Sequence, residues 1–416
     1  MSVATEITRI QGAKSDIASA IENKGVTVPA NTKIDGMAAL INKIDEHRKD
    51  EAVENDVISI DFDGTILYSY SAAEFALLTE MPANKVHEEN LTAQGWNWTL
   101  SDAKSYVATH GGLVIGQTCI TTDGKTHMWI RLDEEYHTPY VGVSPQGTVT
   151  INWGDGYEES TLTGTSNSTI KYAQAPYTHG GDYHITITLT SGTTYNIRGA
   201  GTYGCALCCG QQSNGTFNRI YNQTIYKLRI GNNCTFGANA LIYCMNLETL
   251  NIPTGTFVNK SYFFNYTMRL RAIVLPMDMN APSDNYTLAV CGAKYISLPS
   301  SYGDVGTYSF YFLPNLSRLH LVPSTTSYGT RALYNVYTLK SLVIPAEVTS
   351  FDSYAFVGCN SLRKIKFLGS TPPTVGTHSF TSLPTPCVIS VPTGSLSAYT
   401  SATNYPSSST YTYVEE

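Results

Sequence analysis

"LETLNIP" (residues 247–253), "LRAIVLP" (270–276), "AKYISLP" (293–299), "LSRLHLVP" (316–323) and "LKSLVIP" (339–345) are five versions of one phrase, and their recurrence decides the fold. The closing prolines, Pro253, Pro276, Pro299, Pro323 and Pro345, follow one another at intervals of 23, 23, 24 and 22 residues. A sixth copy, "LRKIKF" (362–367), lacks the proline. Ahead of each phrase stands a further apolar residue: Leu241, Phe264, Leu288 or its neighbour, Phe310, Leu333 and Phe356. A fixed period of this length predicts a solenoid. One coil cannot bury its apolar side alone, so coils stack, and both ends need covers, here expected from residues 199–235 and 368–414.

Between the buried positions, the strand residues of a solenoid point outward and align as a ladder: Thr249 and Asn251, Ala272 and Val274, Tyr295 and Ser297, Arg318 and His320, Ser341 and Val343, Lys364 and Lys366. The later rungs are the more basic, so a polar or anionic ligand is expected on the C-terminal half. Tyr295, Arg318, His320, Lys364 and Lys366 are the candidate binding residues. The Tyr-rich connecting loops, carrying Tyr262, Tyr286, Tyr302, Tyr308, Tyr328, Tyr334 and Tyr337, are an equal alternative. Polarity alone does not mark a site, because exposed strand positions are polar whether or not they bind.

The repeat resembles the BspA-like, treponemal class of leucine-rich repeats, and "VTSFDSYAFVGCNSLRKIKF" (348–367) is nearly a consensus unit of that class. "STPPTVGTHSFTSLP" (370–384) and "VISVPTGSLSAYTSATNY" (388–405) resemble the strand and short helix that end such arrays. The resemblance implies a gripping surface without a buried chemical pocket.

Only 14% of the 416 residues are charged, against about 25% in an average chain. Hydroxyls, amides and 29 tyrosines take their place, a composition suited to neutral, hydroxyl-rich ligands such as glycans. A formal net charge of −7 offers no overall attraction for nucleic acid or an anionic membrane, and neither is expected as a partner. No window reaches the eighteen apolar residues of a membrane helix, and "MSVATEITRIQGAKSD" lacks the basic start and apolar core of a secretory signal. The chain is therefore expected to be made in the cytoplasm. Nine irregularly spaced cysteines predict reduced, buried thiols. Cys205, Cys208 and Cys209 have zinc-knuckle spacing but no second ligand pair, so neither a metal nor another cofactor is expected.

"VISIDFDGTILYSY" (57–70) resembles the DxDGT loop of haloacid-dehalogenase-like phosphatases, which would make Asp61 a nucleophile and Asp63 a proton shuttle. That chemistry needs further carboxylates and a lysine from later crossovers of a parallel sheet. Instead, two helices over 71–80 and 99–110, the second capped by Thr99, lead into antiparallel strands. The apolar alternation on both sides of Asp63-Gly64 predicts a hairpin with a two-residue primed turn. "ITTDGKTHMWI" (120–130) and "VTINWGDGYEESTL" (149–162) repeat the device. No catalytic residue is assigned, and the chain is read as non-enzymatic. Trp96 and Trp98 are expected to close a small core rather than stack on sugar. His110, His179 and His184 are given structural roles, and Asp155, Glu158 and Glu159 are read as turn carboxylates rather than calcium ligands.

"YSYSAAEFALLTEMPA" (68–83) and "LTAQGWNWTLSDAKSYV" (91–107) resemble a module of phage tail and minor structural proteins. "AKSDIASAIENKGVTVPANTKIDGMAALINKI" (13–44) resembles the helical segment preceding it; over residues 4–45, Ile7, Ile10, Ala13, Ile17 and Ile21, then Met37, Leu40, Ile41 and Ile44, form two helical stripes. "VTINWGDG" (149–156) and "YTHGGDYHITITLTSG" (177–192) resemble a polycystic-kidney-disease-type (PKD-like) immunoglobulin sandwich. The expected fold class is thus multidomain and mainly β. It has an N-terminal helical attachment segment (1–56), a small α+β module (57–137), a PKD-like sandwich (138–198) and a BspA-type solenoid (199–416). The resemblances imply a virion protein of a phage tail, assembled in the host cytoplasm. Its partners would be a bacterial surface glycan or protein receptor and other tail or baseplate proteins, with a homotrimer among the open oligomeric states. A bacterial surface adhesin is the alternative.

Overall fold

The computed structural model describes residues 56–135, 138–200, 223–256, 261–279 and 285–416, with 204, 205, 207, 210, 211, 217 and 218 between them and 11, 14, 15, 17 and 18 near the start. Apart from residues 11, 14, 15, 17 and 18, the paired N-terminal helices lie outside the described residues, as do the Cys208 and Cys209 ligands. The chain is mainly β, with few helices and a C-terminal β-solenoid. Among the described residues no helix is long and apolar enough to cross a membrane.

The first unit contains β1 (Val57–Ile60), β2 (Ile66–Tyr70), α1 (Ala72–Leu77), β3 (Leu91–Trp96), α2 (Leu100–His110) and β4 (Leu113–Thr121). Its sheet runs β2-β1-β4-β3, antiparallel except for the parallel pair β1 and β4. Ser71 and Glu74 close a capping box on α1, and the Thr99 hydroxyl accepts from Asp102 N–H at 3.1 Å to start α2. Along β1 the side chains alternate. Val57 joins the core beneath the helices, whereas Ile58 and Ile60 face the other way.

The β1–β2 hairpin forms as expected, but its turn differs. Gly64 N–H donates to Asp61 O at 2.9 Å and Asp61 N–H to Thr65 O at 2.9 Å, leaving Phe62 and Asp63 at the centre of a type I-like turn. Gly64 alone takes the left-handed conformation, at φ 90°, as a bulge glycine. The strands flanking Asp123-Gly124 do not pair with each other at all, because β4 and the next strand belong to different sheets.

That next strand is β5 (Thr126–Leu132), followed by β6 (Tyr140–Asn152), β7 (Ser160–Thr165), β8 (Lys171–Gln174) and β9 (Gly181–Ile197). β9 lies between β5 and β6, and β6 also pairs with β7 and β8. The boundary expected at residue 137 therefore falls too late, since β5 already belongs to this second unit. Trp153, Tyr177 and Tyr195 are fully buried, and the Tyr177 hydroxyl donates to Trp153 O at 2.8 Å.

The second unit continues without a break into the repeats. Strand Ile225–Arg229 pairs antiparallel with β5 and parallel with Thr249–Leu250, so the β unit covers the otherwise open first edge of the solenoid. From there the coils climb in parallel: Ala272–Val274 beside Tyr295–Ser297, then Ser341–Ile344, Lys364–Phe367, Val388–Val391 and Thr412–Glu415. The predicted inward residues Leu241, Phe264, Leu288, Phe310, Leu333 and Phe356 are all fully buried. Cys119, Cys234, Cys244, Cys291, Cys359 and Cys387 are buried free thiols, which fill apolar space.

Candidate functional site

The outward ladder exists in the expected register, with Ala272 opposite Tyr295, Val274 opposite Ser297, Ser341 opposite Lys364 and Val343 opposite Lys366. Its early rungs are not free. The sheet of the first unit lies across them, with Ile58, Ile60 and Val114 packed on Ala272, Val274 and Tyr295. Polar bonds stitch the same face: Asn251 Nδ2 donates to Cys119 O at 2.9 Å, the Ser297 hydroxyl to Val114 O at 2.8 Å and Trp98 Nε1 to Leu298 O at 2.7 Å.

This cover corrects the candidate site residues. Tyr295 and Arg318 are buried beneath the first unit, and Arg318 Nη1 donates to Asp56 O at 3.2 Å. His320 is enclosed near Tyr106 of α2, which meets it edge-on at 6.3 Å. Burial, with Arg318 and then His110 adding repulsion, pushes the His320 imidazole down to about 3. Lys364 and Lys366 lie beyond the covered rungs, half-exposed, and do not meet the other three. Lys364 Nζ donates to Glu416 Oε1 at 2.7 Å, and Lys366 Nζ stands 3.3 Å from Glu416 Oε2. The Lys364 hydrogen bond is the largest influence pulling the Glu416 carboxyl down to about 2. The signal for the cover was present in the chain: Ala272, Val274 and Ser297 are small or apolar at positions that a free ladder fills with polar groups.

Beside the cover runs an open groove of about 1640 Å³ between the β1–β2 hairpin tip and the ascending edges of the coils. Arg269, Arg271, Lys294, Arg318 and Lys340 line it, with Glu248 and Asp63 as its acids. Glu248, Arg271, Lys294, Ser317, Lys340 and Arg363 stand 23 residues apart, each one place before its strand. Arg271 N–H bonds Glu248 O, Lys294 N–H bonds Arg271 O, and Ser317 N–H bonds Lys294 O, at 3.0, 2.9 and 3.1 Å. Backbone bonding thus aligns Arg271 with Lys294 in one column, and Arg363 N–H bonds Lys340 O at 2.7 Å further along the same repeat. Arg271 pairs with Glu248 at 2.6 Å on the exposed surface, and Lys294 Nζ lies 5.1 Å over the Tyr295 ring. The column escaped the reading of the sequence, which followed the strand positions and ignored the residue before each; the 23-residue spacing was the signal for it.

A second column marks the corners of the coils. Tyr262, Tyr286, Tyr308, Arg331, Tyr354 and His378 all take left-handed backbone conformations, with φ between 55° and 64°. Their side chains stack from coil to coil: 4.8 Å between Tyr262 and Tyr286, 4.6 Å between Tyr286 and Tyr308, and 5.1 Å between Tyr354 and His378. Arg331 bridges the middle, its guanidinium 5.3 Å from Tyr308 and 4.8 Å from Tyr354. Neighbouring rings thus cover one another's faces along the column.

Trp96 and Trp98 are buried, as expected of core residues. Asp61 sits fully buried at the end of β1, where desolvation raises its carboxyl above the usual carboxylate range. Its Oδ1 accepts from Phe62 N–H at 2.8 Å and from Gln117 Nε2 at 3.2 Å.

Residues 213–285 and 284–392 match a family model described as BspA type leucine rich repeat region, in six copies. No curated protein matches the chain. Among solved structures, a leucine-rich repeat protein from Bacteroides ovatus is similar at 18% identity, covering 41% of this chain, with a TM-score of 0.26. The chain spans 56% of that protein's length. The repeats within residues 213–392 are thus similar to BspA-type leucine-rich repeats.

Proposed function

We propose that the chain is a non-enzymatic surface-recognition protein of the adhesin type, and that it grips an anionic bacterial surface polymer along the groove beside its repeats. The carrying observation is the cation column, Arg271, Lys294 and Lys340, set at a fixed repeat and flanked by Arg269. A linear ligand with regularly spaced negative groups meets one cation per coil over much of that length. Charge attraction from an open cleft also speeds encounter, although the molecule as a whole is acidic.

The test is binding of the full chain to intact bacterial cells and to purified wall polymers, anionic and neutral. Retention on the anionic polymers, lost in the triple variant Arg271→Ala, Lys294→Ala, Lys340→Ala, supports the reading. Equal retention of the triple variant sinks it.

A second reading, a tail-fibre protein of a phage virion, is favoured by the resemblance of residues 57–135 and 13–44 to phage structural proteins. In it the unit from β5 to β9 is a PKD-like spacer, the N-terminal segment joins other tail proteins or trimerises, and the repeats meet the host receptor. Mass spectrometry of purified virions against cell-surface fractions separates the two readings.

A further inference from the structure

The turn between β1 and β2 brings three metal-ligating side chains together from two separate segments. Asp61 and Asp63 come from the turn and His87 from the loop before β3, with one ligand atom of each inside a 4.8 Å cluster. The Oδ1 atom of Asp61 is satisfied by Phe62 N–H and Gln117 Nε2. Its Oδ2 is equally buried and receives no hydrogen bond. That bare oxygen faces the cluster, with His87 Nε2 at 3.4 Å. A buried carboxylate oxygen without a donor is costly unless something positive satisfies it. Two ligands held by one tetrahedral ion at about 2.0–2.1 Å stand about 3.3–3.4 Å apart, the separation found here.

We propose that Asp61, Asp63 and His87 bind one divalent transition-metal ion, with zinc the preferred ion for a set of one imidazole and two carboxylates. The neighbouring Glu88 does not compete, because it holds Lys227 at 2.7 Å and also pairs with Arg229. His87 approaches from the solvent side, its side chain 43% exposed, which gives the ion a path in and leaves its fourth position to water. The bound ion pins the loop before β3 to the hairpin. This departs from the sequence expectation of no metal, which had no reason to join His87 to a turn over twenty residues away.

The test uses the full chain after chelator treatment, titrated calorimetrically with zinc, manganese, magnesium and calcium chlorides in separate runs, with thermal unfolding in parallel. The expected result is one zinc ion bound per chain, a raised Tm, and affinity at least tenfold weaker in both His87→Ala and Asp61→Asn. His87→Ala removes an exposed side chain and keeps the experiment decisive should Asp61→Asn fold poorly. Two control variants should bind as the parent does. Cys208→Ser/Cys209→Ser removes the cysteine cluster, and His184→Ala removes a ring whose Nε2 lies 3.0 Å from His127 Nδ1. No binding of zinc or manganese, binding untouched by His87→Ala, or binding abolished in a control variant overturns the proposal.

Discussion

Asn97 Nδ2 donates to Ser297 Oγ at 2.9 Å, joining residues 200 positions apart in the chain. The same nitrogen donates to Leu275 O at 2.9 Å, and Asn97 Oδ1 accepts from Gly116 N–H at 2.8 Å. One buried amide therefore ties the first unit to two successive coils. Asn97→Ala strands the Gly116 N–H and the Leu275 carbonyl, each at about 1–3 kcal/mol. Urea unfolding should show a loss of about 2–4 kcal/mol; an unchanged midpoint would show that solvent or another donor replaces the amide.

Gly116 makes a steric prediction on the same interface. A Cβ there would stand 2.3 Å from Val274 Cγ1 and 2.7 Å from Cγ2. Valine is stiff at χ1 and cannot swing clear. Gly116→Ala should destabilise the parent by about 1–3 kcal/mol. It should cost much less in a Val274→Ala background, which removes both methyls. A double-mutant cycle that comes out additive would place the contact elsewhere.

His320 makes the interface sensitive to acid. Its folded value of about 3 lies below the ordinary 6.5, and His110 is displaced in the same direction by burial. Between those limits the unfolded chain binds more protons than the folded one, so stability is complete above about pH 6.5 and falls as the pH drops. The slope is at most about 1.4 kcal/mol per pH unit for each histidine. The groups facing His320 are Tyr106 and His110 from α2 and Arg318 on its own strand, none of them an acid, whereas Glu347 acts on His110 and offsets part of its share of the loss. Thermal unfolding of the parent and of His320→Leu between pH 7 and 5 checks this, with a flatter dependence expected in the variant.

The cation column predicts a salt signature. Its groups are solvent-exposed, so their attraction is screened over about 8 Å at physiological ionic strength. Binding of an anionic wall polymer should weaken by at least about tenfold in Lys294→Ala/Lys340→Ala and lose much of its dependence on salt. Affinity for neutral glycans should not change. A double variant with the salt dependence of the parent contradicts the groove as the binding surface.

The recurrence of Pro253, Pro276, Pro299, Pro323 and Pro345 made the solenoid legible because a coil is a local unit: its buried Leu and Phe positions recur wherever the backbone repeats. The Thr99 cap and the β1–β2 hairpin were legible for the same reason, since each depends on residues only a few positions apart. The fate of the ladder was not. The contact between Val114 and Val274 has no period, because it depends on the shapes of two units far apart in sequence, and the hydrophobic period of a strand does not show what lies over its outer face. The gathering of His87 with Asp61 has the same character. By itself the sequence determined that the back half of this chain is a stack of apolar coils; only the tertiary structure decided that its early rungs are an internal seam and that the open basic face lies one residue to the side, because burial by a distant segment is a property of the folded surface and not of any local pattern.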